Sequence, residues 1–176
     1  TEFLDPISPQ YVADLISWGA IGARTAESQI HRELASGLSC PIGIKNGTSG
    51  ALKPAIDGIQ AANHSHVFFS NTKEGMVSIY KTSGNSDAHI ILRGGSNPNY
   101  DSEAVEKTLV ALREAEVNES IMIDASHGNS QKQHKNQIMV TQKIADQISD
   151  GNLLIRGLML ESNLVEGNQS ISENLT

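Results

Sequence analysis

Five ionisable residues follow short apolar runs of the sequence, at positions where buried strands would end. They are Arg24, Lys45, Arg93, His127 and Glu161. In parallel α/β proteins the carboxyl ends of the strands share one edge, and ligands bind at that edge. Burying a cation is costly unless an anion compensates it, and three of these residues are cations in a chain of net charge -7. This spacing predicts a site for an anionic ligand, in which arginine suits phosphate or carboxylate and lysine makes a point contact.

His127 and Glu161 suggest a second kind of chemistry. Neighbouring strand ends would bring an imidazole and a carboxylate onto one divalent ion, with positions left open for substrate. Two ligands are too few for a complete metal site, and the residue pattern does not identify a third. The simpler alternatives are an ordinary ion pair for each cation and a hydrogen-bonded structural role for His127. The single cysteine, Cys40, is expected to be a small buried residue rather than a nucleophile.

The elements that must position these residues alternate between short β-type runs and amphipathic helical stretches. Strands are predicted at 20–24, 41–45, 67–70, 76–80, 88–95, 120–124 and 155–161. Helices are predicted at 8–18, 28–38, 52–62, 102–115 and 138–148. This alternation is typical of βα units around a parallel sheet, with the pair 67–70 and 76–80 as an inserted antiparallel hairpin.

The length of the chain leaves two parallel architectures open. A (β/α)8 barrel needs at least about 200 residues, whereas this chain has 176 and stops after a predicted strand with no closing helix. One interpretation is therefore part of a barrel. The other is a complete doubly wound α/β domain of about five or six strands, and the pattern alone does not decide between them.

Composition restricts the classes of partner. Lys and Arg number 13 against 20 Asp and Glu, and no basic run occurs, which argues against nucleic acid and anionic membranes as partners. Neither a signal peptide nor an apolar run of about 18 residues is present, and one cysteine cannot form an intrachain disulfide. We therefore expect a cytoplasmic protein. No phosphate-binding P-loop and no dinucleotide-binding glycine motif occurs in the sequence.

Five segments, in order, resemble successive motifs of the class I DAHP synthases. These are the 3-deoxy-D-arabino-heptulosonate 7-phosphate synthases, which open the shikimate pathway to the aromatic amino acids. The segments read GARTAES at 22–28, GIKNGT at 43–48, HIILRGG at 89–95, IDASHGNS at 123–130 and ESNLVEGNQ at 161–169. The resemblance therefore extends over almost the whole chain.

The resemblance implies a fold and a reaction. The fold is an α/β (β/α)8 TIM barrel, of which this chain supplies roughly strands three to eight together with an inserted β-hairpin. Residues 1–176 would then be a partial catalytic domain, incomplete at both ends. The implied enzyme is a transferase that condenses phosphoenolpyruvate with D-erythrose 4-phosphate and releases phosphate. The alternative, from a different class, is a non-catalytic phosphoanion-binding or assembly module derived from that barrel.

The resemblance also implies roles for the residues at the strand ends. Arg24, Lys45 and Arg93 would hold the phosphate and carboxylate of phosphoenolpyruvate, with His127 near that phosphate. Lys45 and His127 would be catalytic, and His127 and Glu161 would bind a divalent ion such as Mn²⁺, Fe²⁺ or Co²⁺. The family's metal-binding Cys, its Lys-Pro-Arg-Thr loop and its metal-binding Asp have no match here. We therefore expect either a C-terminal-half fragment, almost inactive alone, of an enzyme that is a homo-oligomer when complete, or a family member shortened so far that its catalysis is doubtful.

A regulatory site is also implied. Family members are commonly inhibited by an aromatic amino acid that binds in a pocket remote from the metal. The positions that match this effector pocket are Pro9, Gln10, Ser39, Phe68 and Ser70. Core packing is the alternative role for Phe68, and capping or turn formation is the alternative for Ser39.

Overall fold

The computed structural model describes residues 2–3 and 5–167, and the secondary structure below refers to these residues. The strands are β1 (Glu2–Phe3), β2 (Gly19–Ile21), β3 (Ile42–Lys45), β4 (Val67–Asn71), β5 (Val77–Lys81), β6 (His89–Leu92), β7 (Ile121–Asp124) and β8 (Ile155–Met159). The α-helices are α1 (Pro9–Val12), α2 (Gln29–Gly37), α3 (Lys53–Ala62), α4 (Ser102–Glu114) and α5 (Asn136–Ser149). No helix in this part of the chain is long and apolar enough to cross a membrane.

Six of the strands form one sheet in the order β1-β2-β3-β6-β7-β8. Every neighbouring pair in this sheet is parallel. Strands β3 and β6 are buried at every position, because both faces of the sheet are covered. The core combines their aliphatic side chains with those of the helices. Cys40 is buried beside this core, and burial raises the pKa of its thiol, as expected of a structural cysteine.

The parallel sheet is curled. The curl is visible in side chains from alternate strands, which meet across its inner face. The ammonium of Lys45, at the end of β3, lies 2.9 Å from Glu2 of β1 and 3.2 Å from Asp124 of β7. One strand separates β3 from each of these partner strands. In TIM barrels, inward-pointing side chains from alternate strands pack in the same way. The fold is therefore an α/β parallel sheet curled like part of a TIM barrel, rather than an open doubly wound sheet.

Strands β4 and β5 form a separate antiparallel sheet between α3 and β6. Phe68 pairs with Tyr80 across the two strands, and their rings stack with centroids 6.3 Å apart. The opposite face of this small sheet exposes four apolar side chains, Val67, Phe69, Val77 and Ile79.

Two predicted strands end earlier than expected, which moves two candidate residues into loops. β2 ends at Ile21 because the amide and hydroxyl of Thr25 both donate to the carbonyl of Gly22 and close a turn. Arg24 lies within that turn rather than at the end of the strand. β8 ends at Met159, so Glu161 belongs to the following loop. The final two residues of the 161–169 motif lie outside the described part of the chain.

The first predicted helix, 8–18, is not continuous. α1 is followed by a 3-10 helix over Ala13–Leu15, and Ile16 is extended. The indole of Trp18 donates to His89 at the start of β6, over 3.1 Å. This contact fixes Trp18 on the sheet, so tertiary structure overrides the helical pattern of the sequence.

Candidate active site

A fully buried carboxylate joins the residues at the carboxyl edge of the sheet. Asp124 ends β7, and its Oδ2 atom lies 3.2 Å from the Nζ atom of Lys45 and 2.9 Å from Nδ1 of His127. Its other oxygen, Oδ1, accepts hydrogen bonds from the amide and hydroxyl of Ser126, at 2.9 and 2.5 Å. Asp124 is 0% exposed and Lys45 is 3% exposed. Lys45 and His127 are thus held together through one acidic group.

The surroundings of Asp124 and Lys45 keep both groups ionised. Burial raises the pKa of Asp124, but hydrogen bonds from His127 and Ser126 and the charge of Lys45 outweigh it and lower the pKa to about 2. For Lys45, burial lowers the pKa, whereas the carboxylates of Glu2 and Asp124 raise it above its ordinary value. Lys45 therefore acts as a permanent positive charge and is unsuited to the role of a general base.

The contact with Asp124 determines which nitrogen of His127 is free. An ionised carboxylate can only accept, so Nδ1 of His127 carries a hydrogen. The Nε2 atom faces the other way and lies 3.5 Å from Oε1 of Glu161. An imidazole nitrogen and a carboxylate oxygen this close together could share a divalent ion. A carboxylate behind a metal-binding histidine is a common arrangement in metalloproteins.

His127 also has an unusual backbone conformation. Its φ angle is +52°, in the left-handed region that a residue with a side chain seldom adopts. The next residue, Gly128, packs directly on the loop after β6: its amide donates to the carbonyl of Arg93 at 3.0 Å. A Cβ atom on Gly128 would lie 2.6 Å from the amide nitrogen of Gly95. Only glycine therefore allows the loops that carry Arg93 and His127 to approach this closely.

Three asparagines, two of which are fully buried, join the loops that follow β3, β6 and β7. Asn46 accepts from the amide of Arg93 at 2.8 Å and donates to the carbonyl of Gly94 at 3.1 Å. The side-chain amide of Asn99 donates to Oδ1 of Asn46, and the backbone amide of Asn99 donates to Oδ1 of Asn129. The residue pattern does not single out these asparagines, although Asn46 directly follows Lys45. Glu2, which pairs with Lys45, was also missed.

The two arginines differ from Lys45. Arg93 is partly buried beside Gly94, whereas Arg24 is exposed in the turn after β2. Within the described residues, no carboxylate lies within ion-pair distance of either guanidinium. Among the described residues, an ordinary ion pair therefore accounts for Lys45 but for neither arginine. Both guanidinium groups are available to an anionic ligand.

The metal-binding prediction rests on the pair His127 and Glu161. In the part of the chain that the structure describes, no group of three or more His, Cys, Asp or Glu side chains could hold an ion. The donor set of an imidazole nitrogen and a carboxylate oxygen nevertheless suits a divalent transition metal. The two residues fit as part of a metal shell that would need further ligands.

Only some of the residues predicted for the effector pocket line a cavity. Gln10 and Phe68 line a cavity of about 380 Å³ beside α2 and β5. Phe68 and Ser70 line a neighbouring cavity of about 210 Å³. Pro9 is buried and Ser39 is exposed, and neither lines these two cavities.

A curled parallel sheet with cations, a histidine and carboxylates at its carboxyl edge is consistent with part of a protein of the TIM-barrel class. Sequence comparison specifies this class further. The profile of the DAHP synthetase I family matches residues 1–175. The chain belongs to the DAHP synthetase I family.

Individual relatives agree with this assignment. The chain is 58% identical over 170 residues to a Phe-sensitive phospho-2-dehydro-3-deoxyheptonate aldolase of Escherichia coli strain K12, covering 97% of this chain and 49% of the relative. A Trp-sensitive aldolase of the same strain is 54% identical over 171 residues, with the same coverage. A solved structure of the aldolase from Francisella tularensis SCHU S4 matches with a TM-score of 0.92 and 54% identity, covering 100% of this chain and 52% of that chain. The chain thus spans about half the length of the relatives it matches.

The buried Asp124 carboxylate should make the free energy of unfolding depend on pH in the acidic range. Because folding lowers the pKa of Asp124 from its ordinary value of 3.8 to about 2, its contribution is present above about pH 4 and is lost as the pH falls towards 2. The shift corresponds to about 2 kcal/mol of unfolding free energy. Urea unfolding between pH 5 and about 2 should show this loss in the wild type and a flatter profile in Asp124→Asn. Asp146→Asn, which removes an exposed carboxylate from α5, should leave the profile unchanged.

Proposed function

We propose that the protein carrying this chain condenses phosphoenolpyruvate with D-erythrose 4-phosphate to form 3-deoxy-D-arabino-heptulosonate 7-phosphate and phosphate. This is the first step of the shikimate pathway to the aromatic amino acids. One observation carries the proposal: Asp124 joins Lys45 to His127 at the carboxyl edge of the sheet, and the loop of His127 binds the backbone of Arg93. Membership of the DAHP synthetase I family supports it.

The cations account for recognition of phosphoenolpyruvate, which carries a phosphate and a carboxylate. Arg24 and Arg93 have no carboxylate partner among the described residues, so their guanidinium groups would bind these anions in a bidentate manner. Lys45 would make a point contact and supply a fixed positive charge. In the reaction, such charges stabilise the negative charge that develops on the departing phosphate.

His127 and Glu161 would hold the divalent ion, for which Mn²⁺, Fe²⁺ and Co²⁺ are the candidates. The ion would polarise the aldehyde of erythrose 4-phosphate or activate a water molecule. Asp124 would keep the Nε2 atom of His127 directed at Glu161, because it holds Nδ1 at 2.9 Å. His127 would also lie near the phosphate of phosphoenolpyruvate, since the amide of Gly128 binds the carbonyl of Arg93.

We also propose that residues 1–176 are part of a TIM-barrel catalytic domain. The six parallel strands would be roughly strands three to eight of the barrel, with β4 and β5 as an inserted hairpin. The contacts of Lys45 with Glu2 and Asp124, from alternate strands, support this arrangement. The apolar face of the β4–β5 sheet, where Phe69 is 77% exposed, supports a homo-oligomeric protein.

We further propose that an aromatic amino acid regulates the protein from the cavities around Phe68. Two of the relatives are named for their sensitivity to Phe and to Trp. Gln10 and Ser70 provide polar groups beside the aromatic ring of Phe68. These cavities lie beside the β4–β5 sheet rather than among the residues of the strand-edge site.

The synthase reaction is tested in the full-length protein by measuring product formation from the two phosphorylated substrates with added Mn²⁺. His127→Ala and Glu161→Gln should abolish metal-dependent turnover, because each removes a ligand. Full activity in either variant would contradict its role as a ligand. Binding of phosphoenolpyruvate without any turnover by the wild type would favour the non-catalytic module.

The anion site is tested by Arg24→Ala, Lys45→Ala and Arg93→Ala. Each should lower kcat/KM for phosphoenolpyruvate by the equivalent of about 2–4 kcal/mol, the range for removing one partner of a buried charge pair. Lys107→Ala, on the exposed face of α4, is the matched control and should have almost no effect. Wild-type kinetics in the three folded variants would show that these cations have only structural roles.

The effector site is tested by Phe68→Ala. This change should weaken inhibition by phenylalanine or tryptophan at least tenfold while leaving uninhibited activity intact, because Phe68 lines both cavities. Ile79→Ala removes an exposed side chain of the same small sheet that lines neither cavity, and it should leave inhibition unchanged. Equal inhibition of wild type and Phe68→Ala would place the effector elsewhere.

A further inference from the structure

The loop after β8 is held by a side chain of α5. Gln137 lies in the first turn of this helix and is 8% exposed. Its Nε2 group donates to the carbonyl of Glu161 at 2.8 Å, and its Oε1 atom accepts from the amide of Glu161 at 3.0 Å. One carboxamide thus makes both backbone hydrogen bonds that a neighbouring strand would otherwise make with this residue.

Glu161 depends on this support because it lies beyond the end of β8. Its side chain is 62% exposed, and the contact with Nε2 of His127 at 3.5 Å is its only ion pair among the described residues. Residues in exposed loops are mobile unless their backbone is held. Without Gln137, neither the amide nor the carbonyl of Glu161 has another hydrogen-bond partner in the described structure.

A second contact of the same loop is much weaker. Glu166 pairs with His134 at 2.9 Å and with Lys135 at 3.3 Å. All three side chains are exposed, and exposed ion pairs stabilise a structure little because water and salt screen them. The two partly buried hydrogen bonds of Gln137 are therefore the stronger restraint on Glu161.

The start of α5 is also tied to the loop that carries His127. The carboxamide of Asn136 donates to the carbonyl of Ser130 at 3.0 Å, three residues beyond His127. Gln137 follows Asn136 directly, so adjacent residues of one helix hold the loop of His127 and the loop of Glu161. The first turn of α5 therefore contacts the backbone of both loops.

We propose that Gln137 is a positioning residue for metal binding, which holds the Glu161 carboxylate against the free nitrogen of His127. This inference rests on the proposed role of His127 and Glu161 as metal ligands. A glutamine suits the task because its amide donates and accepts at the same time. An ionised glutamate at this position can only accept, and a methionine of similar length can do neither.

The experiment measures Mn²⁺ affinity by calorimetry in the metal-free, full-length protein. Gln137→Met should bind Mn²⁺ about 10–100-fold more weakly, the usual effect of removing a group that orients a metal ligand. In the same variant the amide of Glu161 should exchange its hydrogen faster. Gln142→Met is the matched control, since Gln142 is an exposed residue of the same helix that contacts Asp146. It should keep wild-type affinity.

Binding of phosphoenolpyruvate, a second ligand, distinguishes the positioning of Glu161 from general damage to the fold. Gln137→Met should keep wild-type affinity for phosphoenolpyruvate in the absence of metal, because the cations that bind it lie on other loops. Gln137→Glu retains the acceptor for the Glu161 amide, so its Mn²⁺ affinity should lie between those of wild type and Gln137→Met. If both variants lost affinity for Mn²⁺ and for phosphoenolpyruvate in parallel, Gln137 would have a merely structural role. That result would overturn the proposal.

The control variant Glu161→Gln distinguishes this inference from the proposed function. If Glu161→Gln loses Mn²⁺ affinity while Gln137→Met keeps it, the metal pair stands and the positioning role of Gln137 is wrong. If Glu161→Gln binds Mn²⁺ like the wild type, the assignment of Glu161 as a ligand is wrong, and the role of Gln137 falls with it.

Discussion

The ionised carboxylate of Asp124, buried between Lys45 and His127, is the interaction on which the site depends. An isolated charge in a protein interior is strongly unfavourable, so Asp124 and Lys45 each require the other. Because they end β7 and β3, with β6 between those strands, their contact requires the sheet to curl. The same carboxylate orients His127. One buried group thus couples the shape of the sheet to the charge and direction of the side chains at its edge.

Beyond the strand ends, backbone groups lose the partners that a sheet provides, and side-chain amides replace them. Asn46 binds the backbone of Arg93 and Gly94 in the loop after β6, and Asn129 donates to the last carbonyls of β6 and β7. Gln137 does the same for Glu161. An amide serves in each case because it both donates and accepts without adding a charge to a site already rich in charges. These contacts allow irregular loops to hold functional groups in defined positions.

His127 belongs to both the anion site and the metal site proposed at this edge of the sheet. Its Nδ1 side belongs to the buried network of Asp124 and Lys45, and its Nε2 side faces Glu161. His127 is therefore linked to Lys45 through Asp124 on one side of its ring and faces Glu161 on the other.

The sequence by itself determined the alternation of strands and helices and the strand-end positions of Lys45 and Arg93, because apolar runs and their periodicity are local properties. The five motifs were also sufficient to predict the family. Tertiary structure alone decided that the sheet curls, that Glu2 and Asp124 both pair with Lys45, and that Arg24 and Glu161 lie in loops. These outcomes depend on groups distant in the chain: Gln137, for example, binds the backbone of Glu161 across 24 positions. Local propensity does not contain that information, because hydrogen bonds of this kind form only once the sheet and helices have packed.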